Sequence, residues 1–390
     1  MTAHPEGRLR IALSATRGGA PVQIESTRPV ALANRFAGRH PKEVKALVPL
    51  VYSICRAAQT AACEEAFEKA LPGTAHSRRA AIRKMLTLSE TAREHGLQVL
   101  HAWPRCFAVP EPALASSSIK KLLKIDLALN QNLHAALQGD PSGLDAARKT
   151  IADLEAALGE AIFGEVPSEW QARPGFNGLS FWASRNETPA QTAVEYVMQA
   201  GFADAGAVDI DPLPELKREE LETKLFGEGA EHYIAQPTWN GRPRETTPLA
   251  RQWTGSLIQA VVERAGAGLL ARLAACLAEL ASIPAELKAL VSGLPSPGEA
   301  PAGEALNATG TGVGVAEAAR GRLIHGVEIE DGLIRLYRIL APTEWNFHPE
   351  GAAARGLAQI ARLPDPYRER IARLFITAVD PCVGYELRLS

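Results

Sequence analysis

Apolar residues recur in two rhythms along this chain. Leu9 to Ala15 and Val22 to Ser26 alternate partly around Arg17-Gly18-Gly19-Ala20-Pro21, which predicts a β-hairpin. From Arg39 the spacing becomes helical, with Val44, Leu47, Val48 and Val51 on one stripe and Cys55 at the end of that helix. A second helix is expected over Thr60 to Ala70, stopped by Pro72-Gly73. Residues 77–101 read as a long amphipathic helix carrying Glu90, His95 and His101. Two more helices follow over 116–138 and 143–162, then a mixed, loop-rich stretch over 164–250. Helix returns over 252–280 and 284–292, ahead of a Pro/Gly/Ser-rich loop. Beyond it the period drops to two: Gly321 to Leu340 reads as a pair of strands around Asp331-Gly332, a strong hairpin signal. Helices over 352–362 and 366–378 follow. The class these patterns predict is α+β, predominantly helical, with β-hairpins contributed by both termini.

Composition narrows the class without changing it. The chain has 390 residues, 46% hydrophobic and 22% charged, as a soluble globular protein has. A net charge of −2 gives no reason to expect nucleic acid as the main partner. There is no apolar leader and no run of about 18 apolar residues, so neither secretion nor a membrane span is expected. Five cysteines without paired spacing suggest reduced thiols and a cytoplasmic protein.

Candidate chemistry gathers in the closing stretch, Asp380-Pro381-Cys382-Val383-Gly384-Tyr385-Glu386-Leu387-Arg388. Proline disfavours helix at the residue before it, so Asp380 should end an element and leave Cys382 on a turn. Cys63, Cys106 and Cys276 lack ligand spacing to one another and read as structural thiols. His95 and His101 fall near opposite faces of their helix and read as packing residues. Gly310-Thr311-Gly312-Val313-Gly314 is glycine-dense but has no following Lys-Ser/Thr, so it is not a phosphate loop. No nucleophile–base constellation surrounds Cys55 or Cys382, so an enzyme is not expected.

Four stretches, in order, resemble the large subunit of nickel–iron hydrogenases. They are Glu6 to Arg10; Gly38-Arg39-His40-Pro41 with Ile54-Cys55; Gly241 to Arg251; and Gly312 to Cys382 through Glu317 to His325, Tyr337, Pro342 to Asn346 and Pro349. The resemblance implies a single domain over 1–390 with a hydrogenase-large-subunit-like helical core. Its parts would be an N-terminal hairpin and Cys55 segment (1–75), a helical core (76–292), a loop (293–310) and a C-terminal β/α segment (311–390).

The departures from that family are informative. It holds nickel with four thiolates from two Cys-x-x-Cys motifs. Here Ala58 and Tyr385 stand at the second positions, leaving Cys55 and Cys382. Arg388, which has no lone pair to donate, replaces a ligating histidine, and a carboxylate is missing near Arg28 to Ala33. Two thiolates cannot make a four-sulfur nickel site, so neither nickel nor hydrogenase activity is expected. The pattern resembles the hydrogenase assembly proteins of the HupK/HoxV type. That implies an accessory or scaffold protein in maturation, with Cys55 and Cys382 as metal ligands for a transient iron carrying carbon monoxide and cyanide. Arg320 would donate hydrogen bonds to the cyanides. Asp380 would accept from Arg320 or cap a local turn, and Glu6 matches a proton-relay glutamate but suits a structural role. Arg388 would be a stand-in cation. Implied partners are a HypC-type chaperone, a HypD-type protein and hydrogenase subunits. One mismatch stands: both surviving thiols match nickel-terminal positions, whereas the bridging positions are the lost ones. The alternative is a metal-free interaction module that mimics the large subunit.

Overall fold

The computed structural model describes residues 7–14, 21–71, 73, 77–106, 113–173, 175–294 and 308–390. Glu6, the hairpin turn over 15–20 and most of the 293–310 loop lie outside them. The helix-rich α+β class expected from the sequence is the one found, with two three-stranded sheets at the margins of a helical body.

The first sheet joins the two extremes of the sequence. β1 (Leu9–Leu13) pairs antiparallel with β2 (Val22–Ser26), as the alternation predicts, and parallel with β6 (Tyr385–Leu389). Leu9, Ile11 and Leu13 point into the core at 1% exposure each, so a one-residue slip would turn all three to solvent. The second sheet is an antiparallel meander of β3 (Gly310–Ala318), β4 (Gly321–Glu330) and β5 (Leu333–Leu340). Asp331 and Gly332 turn β4 into β5 with positive φ at both positions, as the Asp-Gly signal requires.

β3 was missed as a strand because its glycines disguise it. Helix α2 (Arg56–Ala70) lies flush across β3. A Cβ built on Gly310, Gly312 or Gly314 would stand 2.1, 2.0 or 2.0 Å from the carbonyl oxygens of Ala70, Ala66 and Ala62. Two periods are being matched. Four residues of helix rise about 6.0 Å and two residues of strand about 6.7 Å, so every second strand glycine meets every fourth helix alanine. Ala58 extends the buried alanine stripe of Ala62, Ala66 and Ala70 by one turn.

Elsewhere the sequence expectations shift at their edges. Helix α1 (Pro41–Val51) ends before Cys55, and α2 begins at Arg56 rather than Thr60, so Cys55 is the N-cap of α2 and not the end of α1. The expected 77–101 helix is α3 (Ser77–Leu97), continued by a π-turn over Gln98–Ala102. The expected helix over 252–280 is broken at Gly266, which takes φ +71, into Ser256–Ala265 and Leu269–Ser292. The latter runs through Pro284, where burial of Ile283, Pro284 and Leu287 outweighs local propensity. It is apolar on nearly every face and forms the axis of the main core. The stretch over 164–250 is more helical than expected. Its helices, such as Pro189–Gln199 with its Thr188/Gln191 capping box, are too short to show a period.

The α2–β3 contact generates a stability prediction. Gly312→Val drives a branched side chain into the helix backbone, so we expect a loss of about 3 kcal/mol or more, read by urea unfolding. An unchanged midpoint would mean that α2 does not sit on β3.

Candidate metal-handling cavity

The end of α2 that points past the sheet carries Cys55. The turn between the closing helix (Asp365–Val379) and β6 carries Cys382. Both thiols, neither in a disulfide, line one cavity of about 380 Å³ with Arg28, Tyr52, Gln59 and Glu344. The two residues that sequence reasoning paired across the chain are therefore brought together. Among the described residues, no group of three His, Cys, Asp or Glu side chains is placed to hold a metal.

Arg320 stands behind Cys55, just after β3. Its Nη1 lies 3.7 Å from Cys55 Sγ and its Nη2 donates to Glu94 Oε2 at 2.9 Å. Its Nε is 3.1 Å from Asp380 Oδ2, an ion pair whose alignment falls short of a hydrogen bond. Asp380 thus meets Arg320 as an ion pair without accepting a hydrogen bond from it, and it also caps the closing helix with φ +58. Burial raises the Asp380 carboxyl above its ordinary range and Glu94 adds to this, while Arg320 opposes it. Burial alone would raise Glu94, but Arg320 and Arg93 outweigh it and hold that carboxyl low. The guanidinium is fixed from behind. Asn346 Nδ2 donates to the Arg320 carbonyl at 2.8 Å and Arg251 Nη2 to that of Ala319 at 3.0 Å. Arg251 is itself clamped by two 2.6 Å bonds to Glu279, which also takes His95 Nε2 at 2.7 Å. The matched stretches around Arg251 and Asn346 thus brace Arg320.

Glu90 sets the position of Cys55. Its two carboxylate oxygens accept the Ala57 and Ala58 N–H groups at 2.8 and 3.2 Å, satisfying amides that begin α2. The cap comes from another helix, so nothing local to residues 55–60 announces where α2 starts. Burial pushes Glu90 up to about 7, against the pull of those N–H groups and Arg93. Cys55 is pushed up to about 12, mainly by burial, against the pull of Arg320. Cys382 is half-buried, and Thr343 holds it reciprocally. The Thr343 hydroxyl donates to Sγ at 2.9 Å and accepts from Cys382 N–H at 3.1 Å.

Three positions depart from the family's ligand set. Ala58 is fully buried and offers no donor atom. The Tyr385 phenol interacts with Arg373, Thr377 and Cys106, away from the cavity lining. Arg388 is not a stand-in cation for the cavity. Its side chain is 76% exposed and lies 3.6 Å from Glu386, because β6 alternation turns it to solvent. Arg28 was not anticipated as a site residue. Its Nη1 pairs with Glu344 Oε1 at 2.5 Å, and the cavity receives a guanidinium where the family was expected to place a carboxylate. The Pro342–Asn346 match was the available signal for Thr343 and Glu344, and the missing carboxylate near Arg28 to Ala33 marked the place without marking Arg28 itself as a cavity residue.

A family model described as nickel-dependent hydrogenase matches residues 183–383. The chain is 29% identical to the hydrogenase expression/formation protein HoxV of Cupriavidus necator, over 96% of this chain and 94% of that one. It is also 29% identical to HupK of Azotobacter vinelandii, over 94% of each chain. HupK of Rhizobium leguminosarum bv. viciae is 28% identical over 94% of this chain and 92% of its own. In fold it is similar to the oxidised [NiFeSe] hydrogenase of Desulfovibrio vulgaris Hildenborough, with a TM-score of 0.57, 16% identity and 94% coverage of both chains. A reduced, active [NiFeSe] hydrogenase from Desulfomicrobium baculatum gives a TM-score of 0.55 at 15% identity, covering 94% and 95%.

Two measurements test this geometry. A thiol at about 12 is almost wholly protonated at pH 8, and the thiolate is the nucleophile, so iodoacetamide should label half-buried Cys382 at least ~10-fold faster than Cys55. Peptide mass spectrometry reads the order, and equal rates would place Cys55 outside the buried site. The second concerns Glu90, whose carboxyl titrates near 4.5 when exposed and at about 7 when folded. Folding therefore favours its protonated form. That contribution is complete below about pH 4.5 and is lost as pH rises through about 7. Glu90→Gln should flatten the fall in Tm across this window, and an unaltered slope would assign it to other groups.

Proposed function

Because the chain belongs to the nickel-dependent hydrogenase family and yet brings only two of the family's thiol positions into its cavity, we propose that it is an accessory protein in hydrogenase maturation and not a hydrogenase. Curated relatives that span nearly its whole length bear the name hydrogenase expression/formation protein, which supports the reading. The cargo would be an iron unit carrying carbon monoxide and cyanide, held transiently by Cys55 and Cys382. The convergence of those two thiols, with a buried guanidinium 3.7 Å behind one of them, is the observation that carries the proposal.

The donor set suits such a cargo better than it suits nickel. Ala58 has no ligand atom and Tyr385 faces away, so a four-thiolate nickel site does not fit. Soft sulfurs suit a low-spin iron whose diatomic ligands fill its remaining positions. Arg320 lies outside the cavity lining, with its N–H groups turned to Cys55, Glu94 and Asp380, so it would offset the charge of a cyanide-bearing guest from behind Cys55. Holding by two thiols is also reversible, as a carrier requires. Delivery would involve a HypC-type chaperone and a HypD-type protein, and hand-over a hydrogenase subunit.

A second reading has its own observation. Leu50, Val51 and Ile54 are 71%, 47% and 46% exposed, and Val51 and Ile54 line the cavity mouth. An apolar rim of this kind suits a docking partner, with or without cargo. No described helix is long and apolar enough to cross a membrane, so the rim is not part of a helical span among these residues.

Infrared spectroscopy of protein purified anaerobically from hydrogenase-producing cells separates the readings. We expect carbonyl and cyanide stretching bands on the wild type, lost in Cys55→Ala and Cys382→Ala together with hydrogenase maturation. Bands absent from the wild type, with maturation intact in both variants, would leave the metal-free module.

A further inference from the structure

Gln59 is almost fully buried, at 5% exposure, yet lines the cavity one helical turn beyond Cys55. Residues four apart on a helix share a face, so the amide and the thiol stand side by side on the cavity wall. We propose that Gln59 is a hydrogen-bond donor to the cavity's guest, held in that orientation by His325 and Tyr337, and that the guest presents small acceptor atoms next to Cys55. The inference rests on the two-thiol carrier reading and adds a specificity residue to it.

The orienting chain is explicit. Gln59 Oε1 lies 2.8 Å from His325 Nε2, and His325 Nδ1 lies 2.8 Å from the Tyr337 hydroxyl. That hydroxyl also meets the Cys63 thiol, which sits on the Gln59 face of α2 another turn along. His325 and Tyr337 are both at 0% exposure, with their rings edge to face. Burial lowers the His325 pKa to about 3, so the ring stays neutral and only one of its nitrogens carries a proton. With that proton on Nε2, the ring donates to Gln59 Oε1, Tyr337 donates to Nδ1, and Cys63 donates to Tyr337. The Gln59 Nε2 hydrogens are then left to the cavity. Reversing every bond in the chain would turn the Gln59 oxygen inward instead. A guest rich in acceptors, such as a metal-bound cyanide, selects the first arrangement. A guest with only donors would need the second. Gln59 thus adds a donor on the α2 wall of Cys55, while Arg320 approaches the same sulfur from behind.

The test needs no cargo. Cyanylation converts a thiol to a thiocyanate, whose nitrile nitrogen is a small acceptor and whose infrared stretch reports hydrogen bonding. The label is placed on Cys55 in a Cys106→Ser/Cys382→Ser background and on Cys382 in a Cys106→Ser background, with peptide mass spectrometry confirming the labelled position. We expect a hydrogen-bonded nitrile band from at least the Cys55 label. At a pH high enough to ionise the new carboxyl, Gln59→Glu keeps an oxygen for His325 but removes the donor, so the band should be lost while ¹⁵N shifts keep His325 protonated at Nε2. Gln59→Met should lose both the band and that tautomer preference. A nitrile spectrum that is the same in the wild type and Gln59→Glu, or that lacks a bonded band in the wild type, overturns the proposal. Such a failure leaves the carrier reading standing. Missing carbonyl bands in the cargo experiment would remove the carrier without altering the nitrile result.

Discussion

Everything at the cavity depends on how closely a helix can lie on a strand. The backbone of α2 touches that of β3 because glycine on the strand and alanine on the helix leave no side chain between them. Bulky residues at these positions would hold the two elements apart by several ångströms, as in ordinary helix–sheet packing. The contact runs the length of α2 and stops where Cys55 begins it, while β3 leads directly to the turn that carries Arg320. A thiol and a guanidinium from segments more than two hundred residues apart are thereby held at 3.7 Å.

Charge is confined behind the cavity rather than spread around it. Arg320 is held between Glu94 and Asp380, and Glu94 is shared with Arg93, which also reaches Asp126. Breaking a buried pair of this kind strands the remaining charge, which costs more than the pair contributes. The cluster is therefore stiff, and it presents the guanidinium towards Cys55 at a fixed angle. The cavity itself is lined by few ionic groups, chiefly the Arg28–Glu344 pair.

Most of the scaffold was legible in the sequence, and so was the thiol pair. The first hairpin, the Asp331-Gly332 turn and the long helices follow from period and turn chemistry, because those signals are local. The meeting of Cys55 with Cys382 followed from ordered motif matches and not from spacing, since nothing local relates the two. Signals failed wherever the physical cause lay elsewhere in the chain. Glu90 starts α2 from a neighbouring helix, and the β3 glycines serve a contact that exists only in the fold. Arg28 enters the cavity through a pairing with Glu344 that no pattern around residue 28 reveals. Arg388 was assigned by position alone, and strand alternation placed it outside.

The parallel ladder between β1 and β6 has a consequence for the cavity. Cys382 is held by the turn into β6, and β6 docks on β1, so one wall of the cavity hangs on a ladder between segments more than 370 positions apart. Cys55 has no such dependence, because it caps a helix seated on β3. Unzipping β6 from β1 would therefore loosen one sulfur and leave the other in place, and the spacing of the two thiols is only as firm as that single ladder.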